Sequence, residues 1–414
     1  MIGLVDGNNF FVSCERVFNR RLLGKRVAVL SNNDGCCVAM SPEFKALGIP
    51  RGTPYFQLRE REARDGLIFL SSNYELYGDM SRRIIAVLRE KAVEVEQYSI
   101  DEAFILPPPQ QNLLDYGLRL RETILRWTGI PCGIGFAPTK TLAKIANHAA
   151  KKLPCGVLVL EDDPSERLAK LPVGEVWGVG RKLVMKLRLR GISTALDLRN
   201  AASDVLRSIG GITLERTALE LRGVSCKSER DYEADADSIS CSRSFGKAIS
   251  DRDSLVESIA SFLSKAAEKL RKCRKFACGC NVYAQRTDLT FDARTVIFPA
   301  PTDATHEMLS AVRPVVEALW TAGVSYRKSG MVFFGLEKPG SHVQGDLFDD
   351  TPQSVPSRLY SVVDELNACL GSNTVFSAAE GIERKWKMNR ARLSPRATTC
   401  WSELPIAHAG KGAS

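Results

Sequence analysis

Three acidic residues lie where strand-like stretches of the sequence end or turn. Asp6 ends a short apolar run near the N-terminus, and Asp101 and Glu102 interrupt Val93–Leu106, a stretch rich in β-branched and aromatic residues. Because neighbouring residues of a flat strand point to opposite faces, two adjacent carboxylates fit best at a hairpin tip, where both reach one solvent-filled point. Ordinary acidic turns also contain such pairs, so this pair alone does not identify a site.

The three acids together have the composition of a site for hard cations. Carboxylate and carbonyl oxygens bind Mg²⁺ well, and two such ions about 4 Å apart can clamp an in-line phosphoryl or nucleotidyl displacement. Gly7, directly after Asp6, lets a main-chain oxygen approach a metal with no side chain in the way. Asp6, Asp101 and Glu102 therefore predict a site for a hard cation such as Mg²⁺.

Other catalytic and metal-binding arrangements are not favoured by the sequence. The chain has four histidines, too few to favour triad catalysis, and 12 cysteines, far below the density of a disulfide-stapled secreted scaffold. Cys273, Cys278 and Cys280 form a cluster without a nearby histidine or second CxxC pair, so this cluster does not predict a zinc site. The cysteine usage indicates a reducing cytosol.

Two basic segments follow the acids along the chain, and the first is a predicted helix. On Thr139–Lys152, the residues Lys144 and Lys151 lie two turns apart and therefore on the same side. A solvated helix face is the simple interpretation of these lysines alone. Beside a metal cluster, a contact with a triphosphate is favoured.

The second basic segment has the pattern of a helix-hairpin-helix. In Val176–Arg181, Gly178 and Gly180 alternate with apolar residues before a helix that begins with Arg181 and Lys182. Such a turn exposes backbone N–H groups at a helix N-terminus, which suits a phosphate of the DNA backbone. A plain αα-hairpin is the alternative, whereas a dinucleotide-binding motif is excluded because no strand precedes the glycines.

Length and composition indicate a globular protein of several domains. The chain has 414 residues, of which 44% are apolar and 25% charged, and this length suggests about three domains. No apolar stretch approaches the roughly 18 residues of a membrane span, and the N-terminus lacks the basic region of a signal peptide. The net charge of +9 favours a polyanionic partner, although a basic solvated surface explains it equally well.

The elements that must position these residues change character along the chain. Residues 1–12 and 75–160 combine strand and helix patterns and predict an antiparallel α+β domain, into which 13–74 is inserted. Residues 165–230 contain only short predicted helices. A second β/α pattern then predicts strands at 238–245, 276–298 and 328–336, and helices at 252–273, 305–322 and about 357–370.

Several runs of the sequence together resemble one family. They are Asp6-x-x-x-Phe10-Phe11-x-x-Cys14-Glu15, Leu30–Cys37, Ser72–Tyr77, Ser99–Phe104, Thr139–Lys152 and Ile239–Gly246. These runs resemble the Y-family of translesion DNA polymerases, and more narrowly its UmuC type, the catalytic subunit of bacterial DNA polymerase V and its plasmid-borne relatives. The resemblance covers almost the whole chain.

The resemblance implies a right-hand polymerase of the α+β multidomain class. The expected domains are a ferredoxin-like palm at 1–12 and 75–165, small fingers at 13–74, a helix-hairpin-helix thumb at 166–230, an α/β little finger at 239–340, and a clamp-binding linker with a UmuC-type C-terminal tail at 341–414.

The resemblance also assigns roles to single residues. The residues that match the family's catalytic, metal-binding acids are Asp6, Asp101 and Glu102, with the Gly7 carbonyl as a further ligand and two Mg²⁺ ions as the cofactor. Lys45 and Lys151 match basic residues that contact the triphosphate of the incoming nucleotide.

An aromatic pair near the N-terminus matches the part of the family's site that selects the sugar. Phe11, which follows Phe10 in the nucleotide-binding stretch, matches the steric gate, a ring that clashes with a ribose 2′-OH. UmuC-type proteins carry Tyr at this position, but a Phe ring keeps the bulk, so we expect sugar selection to persist. Pro42 stands where many Y-family members outside this branch have Tyr, so that phosphate hydrogen bond is absent.

The C-terminal part of the sequence matches segments that bind partners. Gln344, Leu347 and Phe348 match the anchors of the sliding-clamp-binding pentapeptide, a short extended peptide of the kind that docks in a groove. Gly345 replaces an apolar anchor, which predicts weaker binding to the clamp. Ser394–Thr399 matches the UmuC tail, whose implied partners are a UmuD′-type dimer and a RecA filament.

The function implied is error-prone translesion synthesis in SOS DNA-damage tolerance and mutagenesis. Such an enzyme adds dNTPs to the 3′-OH of a primer-template DNA by two-metal nucleotidyl transfer, and its expected location is the cytoplasm. A non-catalytic DNA-binding scaffold at stalled forks is the alternative, and the presence of all three acids argues against it. A nucleotidyl cyclase also uses a palm-like acidic hairpin, but it needs no grip on a duplex.

Overall fold

The computed structural model of the chain describes residues 1–160, 163–226, 237–338 and 357–404. Two compact units form the chain. The first consists of Met1–Ser31, Gly35–Glu233 and Arg392–Ser414, and the second of Asn32–Asp34 and Ala234–Ala391. The predicted clamp-binding residues Gln344, Leu347 and Phe348 lie outside the described residues.

The first unit contains strands and helices in alternation. Its strands are β1 (Ile2–Gly7), β2 (Arg26–Leu30), β3 (Cys37–Met40), β4 (Leu67–Ser71), β5 (Glu94–Gln97), β6 (Glu102–Leu106), β7 (Cys132–Ala137) and β8 (Val157–Val159). Its helices are α1 (Phe10–Phe18), α2 (Pro42–Lys45), α3 (Arg61–Arg64), α4 (Tyr74–Lys91), α5 (Leu113–Thr128), α6 (Lys140–Ala150), α7 (Ser165–Lys170), α8 (Arg181–Arg188), α9 (Ala195–Asn200) and α10 (Ser203–Leu221).

A five-stranded sheet with the order β5-β6-β1-β7-β8 forms the centre of the first unit. Strand β1 pairs antiparallel with both β6 and β7, and its central residues supply both pairings at once. Helices α4 and α5 pack together on this unit, and their apolar residues join those of β1, β6 and β7 in one buried core. Burial of these apolar side chains stabilises the central strands in their positions.

Helix α6 approaches the same sheet unusually closely. Thr139 accepts a hydrogen bond from the Leu142 N–H at 3.3 Å and so caps the helix N-terminus. The Asn147 amide donates to the carbonyl oxygens of Leu4 at 3.2 Å and Gly133 at 2.7 Å. One side chain therefore connects α6 to both β1 and β7.

A smaller sheet lies in the inserted part of the first unit. Its order is β3-β2-β4, with β2 parallel to β4 and antiparallel to β3. Ser41 caps α2, Pro42 occupies its first turn, and the helix ends at Lys45. The sequence interpretation did not identify β3, β4 or α1, and α1 crosses the boundary expected between residues 12 and 13.

Residues 165–221 form helices α7 to α10 with short connections between them, in agreement with the predicted helical character. Gly180 precedes α8, and α9 begins with a capping box formed by Thr194 and Asp197. Helix α10 is kinked at Gly211, whose φ of 67° lies in the left-handed region that glycine adopts readily. Residues 203–221 therefore form one helical segment with a kink rather than two short helices.

The second unit is an antiparallel sheet covered by helices. Its elements are β9 (Ile239–Ile249), α11 (Arg252–Lys272), β10 (Phe276–Arg286), β11 (Phe291–Thr302), α12 (Thr305–Leu319), β12 (Tyr326–Glu337) and α13 (Ser357–Leu370), with the strand order β11-β10-β12-β9. Trp386 is buried in this core against Phe262. The expected C-terminal tail is thus divided, because its residues from Arg392 belong to the first unit.

Among the described ranges, no helix is long and apolar enough to cross a membrane.

The close approach of α6 to the sheet predicts that Gly135 tolerates no side chain. A Cβ atom at Gly135 would lie 2.1 Å from the backbone nitrogen of Asn147. We expect Gly135→Ala to destabilise the protein by about 3 kcal/mol or more, because backbone on both sides resists displacement. Urea unfolding followed by circular dichroism measures this change.

Gly78→Ala is the matched control for this prediction. Gly78 lies within α4, where the nearest neighbour of an added methyl group would be the flexible end of Arg82, at 3.8 Å. The same substitution should stabilise the helix there by about 1 kcal/mol. Equal effects of the two substitutions would contradict a special packing constraint at Gly135.

Candidate active site

The predicted acids meet because of how β1 pairs with β6. Asp6 and Glu102 are directly opposite each other in the antiparallel register. The Gly7 N–H donates to the carbonyl oxygen of Asp101 at 2.9 Å, which fixes the end of the hairpin against β1. Sheet pairing therefore brings residues far apart in the sequence together at one end of two neighbouring strands of the central sheet.

Ser99 organises the turn that carries Asp101. Its Oγ accepts hydrogen bonds from the N–H groups of Asp101 at 3.2 Å and Glu102 at 3.0 Å, and donates to Asp101 Oδ1 at 2.7 Å. The N–H groups of Tyr98 and Ser99 both donate to the Glu102 carbonyl oxygen. The turn residues are thus held by local bonds, so the Asp101 carboxylate has a defined position before any ligand binds.

Asp6 forms an ion pair with Lys151, the residue that follows α6. The Lys151 Nζ lies 2.6 Å from Asp6 Oδ2, and the Asp6 side chain is 15% exposed. Burial raises the pKa of Asp6 to about 6, although Lys151 opposes this shift, and Glu102 and Asp101 add to it. A buried carboxylate that Glu102 and Asp101 repel therefore requires a positive charge beside it.

Lys144 supplies charge to the neighbouring acid and lies among aromatic rings. Its Nζ is 3.0 Å from Glu102 Oε2. The same ammonium group lies 4.3 Å from the ring centre of Tyr98 and 5.1 Å from that of Trp177. Trp177, in the predicted helix-hairpin-helix turn, donates its indole N–H to the Tyr98 hydroxyl at 3.1 Å. Aromatic faces attract a cation, so this arrangement fixes Lys144 beside Glu102 rather than in solvent.

Lys45 belongs to a second basic cluster near Asp6. Its ammonium group donates to the Asn9 side-chain oxygen. Burial, followed by repulsion from Lys151 and Arg51, lowers the pKa of Lys45. Cations that repel one another in this way would be stabilised by an anion with several negative charges.

The two predicted aromatic residues differ in their surroundings. Phe10 is buried in the core, with 2% of its surface exposed, whereas Phe11 is half-buried and presents part of its ring. Phe11 stacks on Tyr77 with 4.5 Å between ring centroids and 12° between the planes, and Tyr74 meets it edge-on at 5.9 Å. Phe11 is therefore the ring of the pair available to a ligand.

The donor set at this edge of the sheet has the chemistry that a divalent cation needs. In the described ranges, no three His, Cys, Asp or Glu side chains are close enough as they stand to hold an ion. The donors are nevertheless hard oxygens, and the Asp6 carboxylate remains hard to ionise even with Lys151 beside it. The residues fit a divalent cation chemically. They fit it best if the ion pair between Lys151 and Asp6 breaks, because the Asp6 carboxylate is then free to bind the cation.

The predicted DNA-binding residues lie together on the first unit. Gly178 has a φ of 91°, and Gly180 directly precedes α8, which begins with Arg181 and Lys182. All four residues are exposed. The structure therefore leaves this helix N-terminus open to solvent, as phosphate contact requires.

Comparison with known proteins gives a coherent family. The sequence model of the impB/mucB/samB family matches residues 5–148, that of its C-terminal domain matches 236–347, and a domain of unknown function (DUF4113) matches 357–407. Protein UmuC of Salmonella typhimurium is 40% identical over 98% of this chain and 99% of its own length. Protein ImpB of the same species is 39% identical over 99% and 100%. The chain belongs to the impB/mucB/samB family, the UmuC type of Y-family DNA polymerases.

Solved structures give the same fold. A Y-family DNA polymerase chimera of Dbh and Dpo4 has a TM-score of 0.61, with 81% of this chain and 99% of that chain covered at 22% identity. An insertion ternary complex of Dbh DNA polymerase has a TM-score of 0.54 and 23% identity, covering 82% and 100%. The predicted right-hand, α+β multidomain class is thereby confirmed.

Family membership settles the broad activity. The chain is an error-prone translesion DNA polymerase, a DNA-directed nucleotidyltransferase whose catalysis depends on a divalent metal. The alternative of a non-catalytic scaffold is not favoured. Primer-template DNA and dNTPs are its substrates.

Sequence reasoning missed several residues of this polymerase's candidate site. Arg51 and Asn9 contribute to the surroundings of Lys45, and Tyr77 stacks on the predicted gate. The sequence pattern links Lys144 to the triphosphate, but the structure pairs it with Glu102. The spacing of Lys144 and Lys151 correctly indicates that both lie on the side of the helix that faces the sheet. The acid that each lysine contacts depends on the strand beneath it.

The raised pKa of Asp6 predicts how stability depends on pH without divalent metal. Between the ordinary pKa of 3.8 and the raised pKa of about 6, the folded protein binds a proton that the unfolded chain releases. The ionised carboxylate therefore costs stability above pH 6, and this cost disappears as the pH falls towards 4. In EDTA at pH 8, Asp6→Asn should be about 1–3 kcal/mol more stable than the wild type. Urea unfolding at several pH values measures the difference.

Glu122→Gln is the control for this prediction, since it removes a carboxylate from an exposed position on α5. This variant should behave like the wild type at every pH. An Asp6→Asn protein less stable than the wild type at pH 8 would contradict the electrostatic interpretation.

Proposed function

We propose that Asp6, Asp101 and Glu102 hold two Mg²⁺ ions and that the polymerase uses them to join a dNTP to a primer 3′-OH. The observation that carries this proposal is the register in which Asp6 faces Glu102, with Asp101 bonded to the next residue of β1. The Gly7 carbonyl is a further ligand. When bound, the two ions would lower the pKa of the attacking hydroxyl and neutralise charge developing on the phosphate.

Lys151 and Lys45 prepare the site for the triphosphate. Lys151 neutralises Asp6 in the arrangement described above, and it interacts with Lys45. Release of Lys151 from Asp6 would free the carboxylate for a cation and the ammonium group for a phosphate. Arg51 adds a third positive charge to the same anion site. The chain thus keeps its acids neutralised until nucleotide and metal arrive together.

Phe11 selects the sugar in this proposal. Its half-buried ring follows Phe10 in the predicted nucleotide-binding stretch and stacks on Tyr77. A ribose 2′-OH would meet the ring, whereas a deoxyribose would fit. The buried Phe10 supports the ring from behind, since their centroids are 6.0 Å apart.

We assign domains and partners to the remaining parts of the chain. The assignments are palm at 1–12 and 75–165, fingers at 13–74, thumb at 166–230, little finger at 239–340, and clamp-binding linker and tail at 341–414. Gly178, Gly180, Arg181 and Lys182 would hold the DNA backbone through exposed N–H groups and positive charge. The peptide that contains Gln344, Leu347 and Phe348 would bind the sliding clamp, and a UmuD′-type dimer and RecA filament would bind the polymerase during the SOS response.

Primer extension tests the catalytic assignment. Asp101→Asn keeps the shape of the side chain and removes its charge, so we expect at least about a 100-fold loss of Mg²⁺-dependent synthesis on undamaged and lesion-containing templates, because charge stabilisation at a transferring phosphate is worth several kcal/mol. Binding of primer-template DNA should persist. Gel-based extension and fluorescence anisotropy measure the two properties.

Asp115→Asn serves as the matched control, because Asp115 is exposed on α5. It should extend primers at the wild-type rate. Wild-type synthesis by Asp101→Asn would remove Asp101 from the catalytic set.

Single-nucleotide insertion tests the sugar gate. Phe11→Ala removes the ring, so insertion of a ribonucleotide relative to the matching deoxynucleotide should rise about 10- to 200-fold, the range for discrimination by one small group. Steady-state kinetics with both nucleotides measures the ratio. Unchanged discrimination would exclude Phe11 as the gate.

A further inference from the structure

The C-terminal segment Arg392–Glu403 is attached through its first residues to the rest of the first unit by hydrogen bonds. At its start, the Ser71 N–H donates to the Arg392 carbonyl oxygen at 2.9 Å, and the Arg392 N–H donates to Ser71 Oγ at 2.9 Å. Ser71 is the last residue of β4. The segment therefore begins as an extension of the backbone bonding at the end of a strand.

The side chain of Arg392 strengthens this attachment. Its guanidinium contacts both oxygens of Glu62, at 2.6 and 3.1 Å, and donates to the Tyr55 hydroxyl at 2.6 Å. A two-pronged contact between a guanidinium and a carboxylate fixes direction as well as distance. The attachment places Ser394, two residues later, against the interior of the unit.

Ser394 reaches a buried carboxylate that the catalytic assignment leaves unused. Glu15 is 3% exposed, and its Oε1 accepts hydrogen bonds from Ser394 Oγ at 2.9 Å and from the Tyr77 hydroxyl at 2.7 Å. Burial raises the pKa of Glu15, and both hydrogen bonds oppose that shift. A buried carboxylate needs such donors, so Ser394 and Tyr77 are held together through it.

A second bond connects the segment to the start of α4, the helix that carries Tyr77. The Asn73 side chain accepts from the Leu76 N–H at 3.3 Å and thereby caps α4. Its amide nitrogen donates to Ser394 Oγ at 2.9 Å and to the carbonyl oxygens of Ser394 and Pro395 at 3.2 Å. Ser394 thus contacts both the cap of α4 and, through Glu15, a ring on its first turn.

Tyr77 transmits this position to the predicted gate. It is fully buried, and its ring stacks on Phe11 nearly parallel, at 4.5 Å between centroids. A phenylalanine ring has no hydroxyl that a hydrogen bond could orient, so packing alone decides where it lies. The position of Phe11 therefore depends on the plane of Tyr77, and that plane depends on the bond from the Tyr77 hydroxyl to Glu15.

We propose that Ser394 is a positioning residue for sugar selection: it holds Glu15, Glu15 holds the Tyr77 hydroxyl, and the Tyr77 ring holds Phe11. The C-terminal segment is then part of the nucleotide-selecting site rather than only a surface for partners. The proposal rests on the function proposed for Phe11. It requires no contact between Ser394 and the nucleotide.

Single-nucleotide insertion kinetics on the full-length chain test this proposal. Ser394→Ala removes one donor from Glu15, so insertion of a ribonucleotide relative to a deoxynucleotide should rise about three- to tenfold, since only part of a charged hydrogen bond reaches the gate. Ser394→Thr keeps the hydroxyl and should restore wild-type selectivity. Tyr77→Phe keeps the ring and removes the other donor, so it should reproduce the effect of Ser394→Ala.

The double variant and a matched control separate positioning from general destabilisation. In the Phe11→Ala background, Ser394→Ala should add no further loss of selectivity, because the ring through which it acts is gone. Ser402→Ala makes the same substitution at an exposed position of the same segment and should leave the ratio unchanged. Thermal unfolding of every variant shows whether selectivity changes together with stability.

Three outcomes would overturn the proposal. Wild-type selectivity in Ser394→Ala and Tyr77→Phe, with Phe11→Ala relaxed, would leave the gate in place but remove the role of the segment. Equal loss of ribonucleotide and deoxynucleotide insertion would assign Ser394 a merely structural role. An additive effect in the double variant would show that Ser394 acts by another route. An unaltered ratio of ribonucleotide to deoxynucleotide insertion in Phe11→Ala would instead contradict the function proposed for Phe11.

Discussion

Burial of carboxylates that lie near one another on neighbouring strands is the constraint on which the candidate active site depends. The register between β1 and β6 places Asp6 opposite Glu102, and burial prevents water from screening the two charges. Two ion pairs neutralise these charges, one between Lys151 and Asp6 and one between Lys144 and Glu102. Both lysines come from one helix and its end, so the placement of α6 on the sheet decides how the acids are neutralised.

Several independent contacts fix the placement of α6. The Gly135 backbone allows the helix to approach, and the Asn147 amide binds carbonyl oxygens of two strands. At the helix N-terminus, the buried Glu220 of α10 accepts from the Thr141 N–H at 2.9 Å, where a negative charge is favourable. Lys151 binds Asp6 at the opposite end. Packing, capping and an ion pair therefore all stabilise α6 in the same position.

Part of this candidate site was predictable because its residues lie in short stretches of sequence with a recognisable pattern. In these stretches the residue types alone indicate the chemistry. They contain the adjacent acids, the aromatic pair and the helix-hairpin-helix glycines. The spacing of Lys144 and Lys151 also predicted one shared helix side. The partner of each lysine was not predictable, since it depends on which strand lies beneath each turn, and the same limit explains why Arg51 was missed.

The contact between Ser394 and Glu15 shows why the remainder of the site could not be predicted. These residues are 379 positions apart, and neither a serine in a polar run nor a glutamate in a helix indicates a buried pair. Retaining a carboxylate in the interior costs stability, and an apolar residue of similar size would fill the same space at lower cost. Apolar packing would not, however, fix the direction of the Tyr77 hydroxyl. Because Phe11 has no hydroxyl of its own, a directional bond to the ring behind it gives the buried charge a function that packing alone cannot supply.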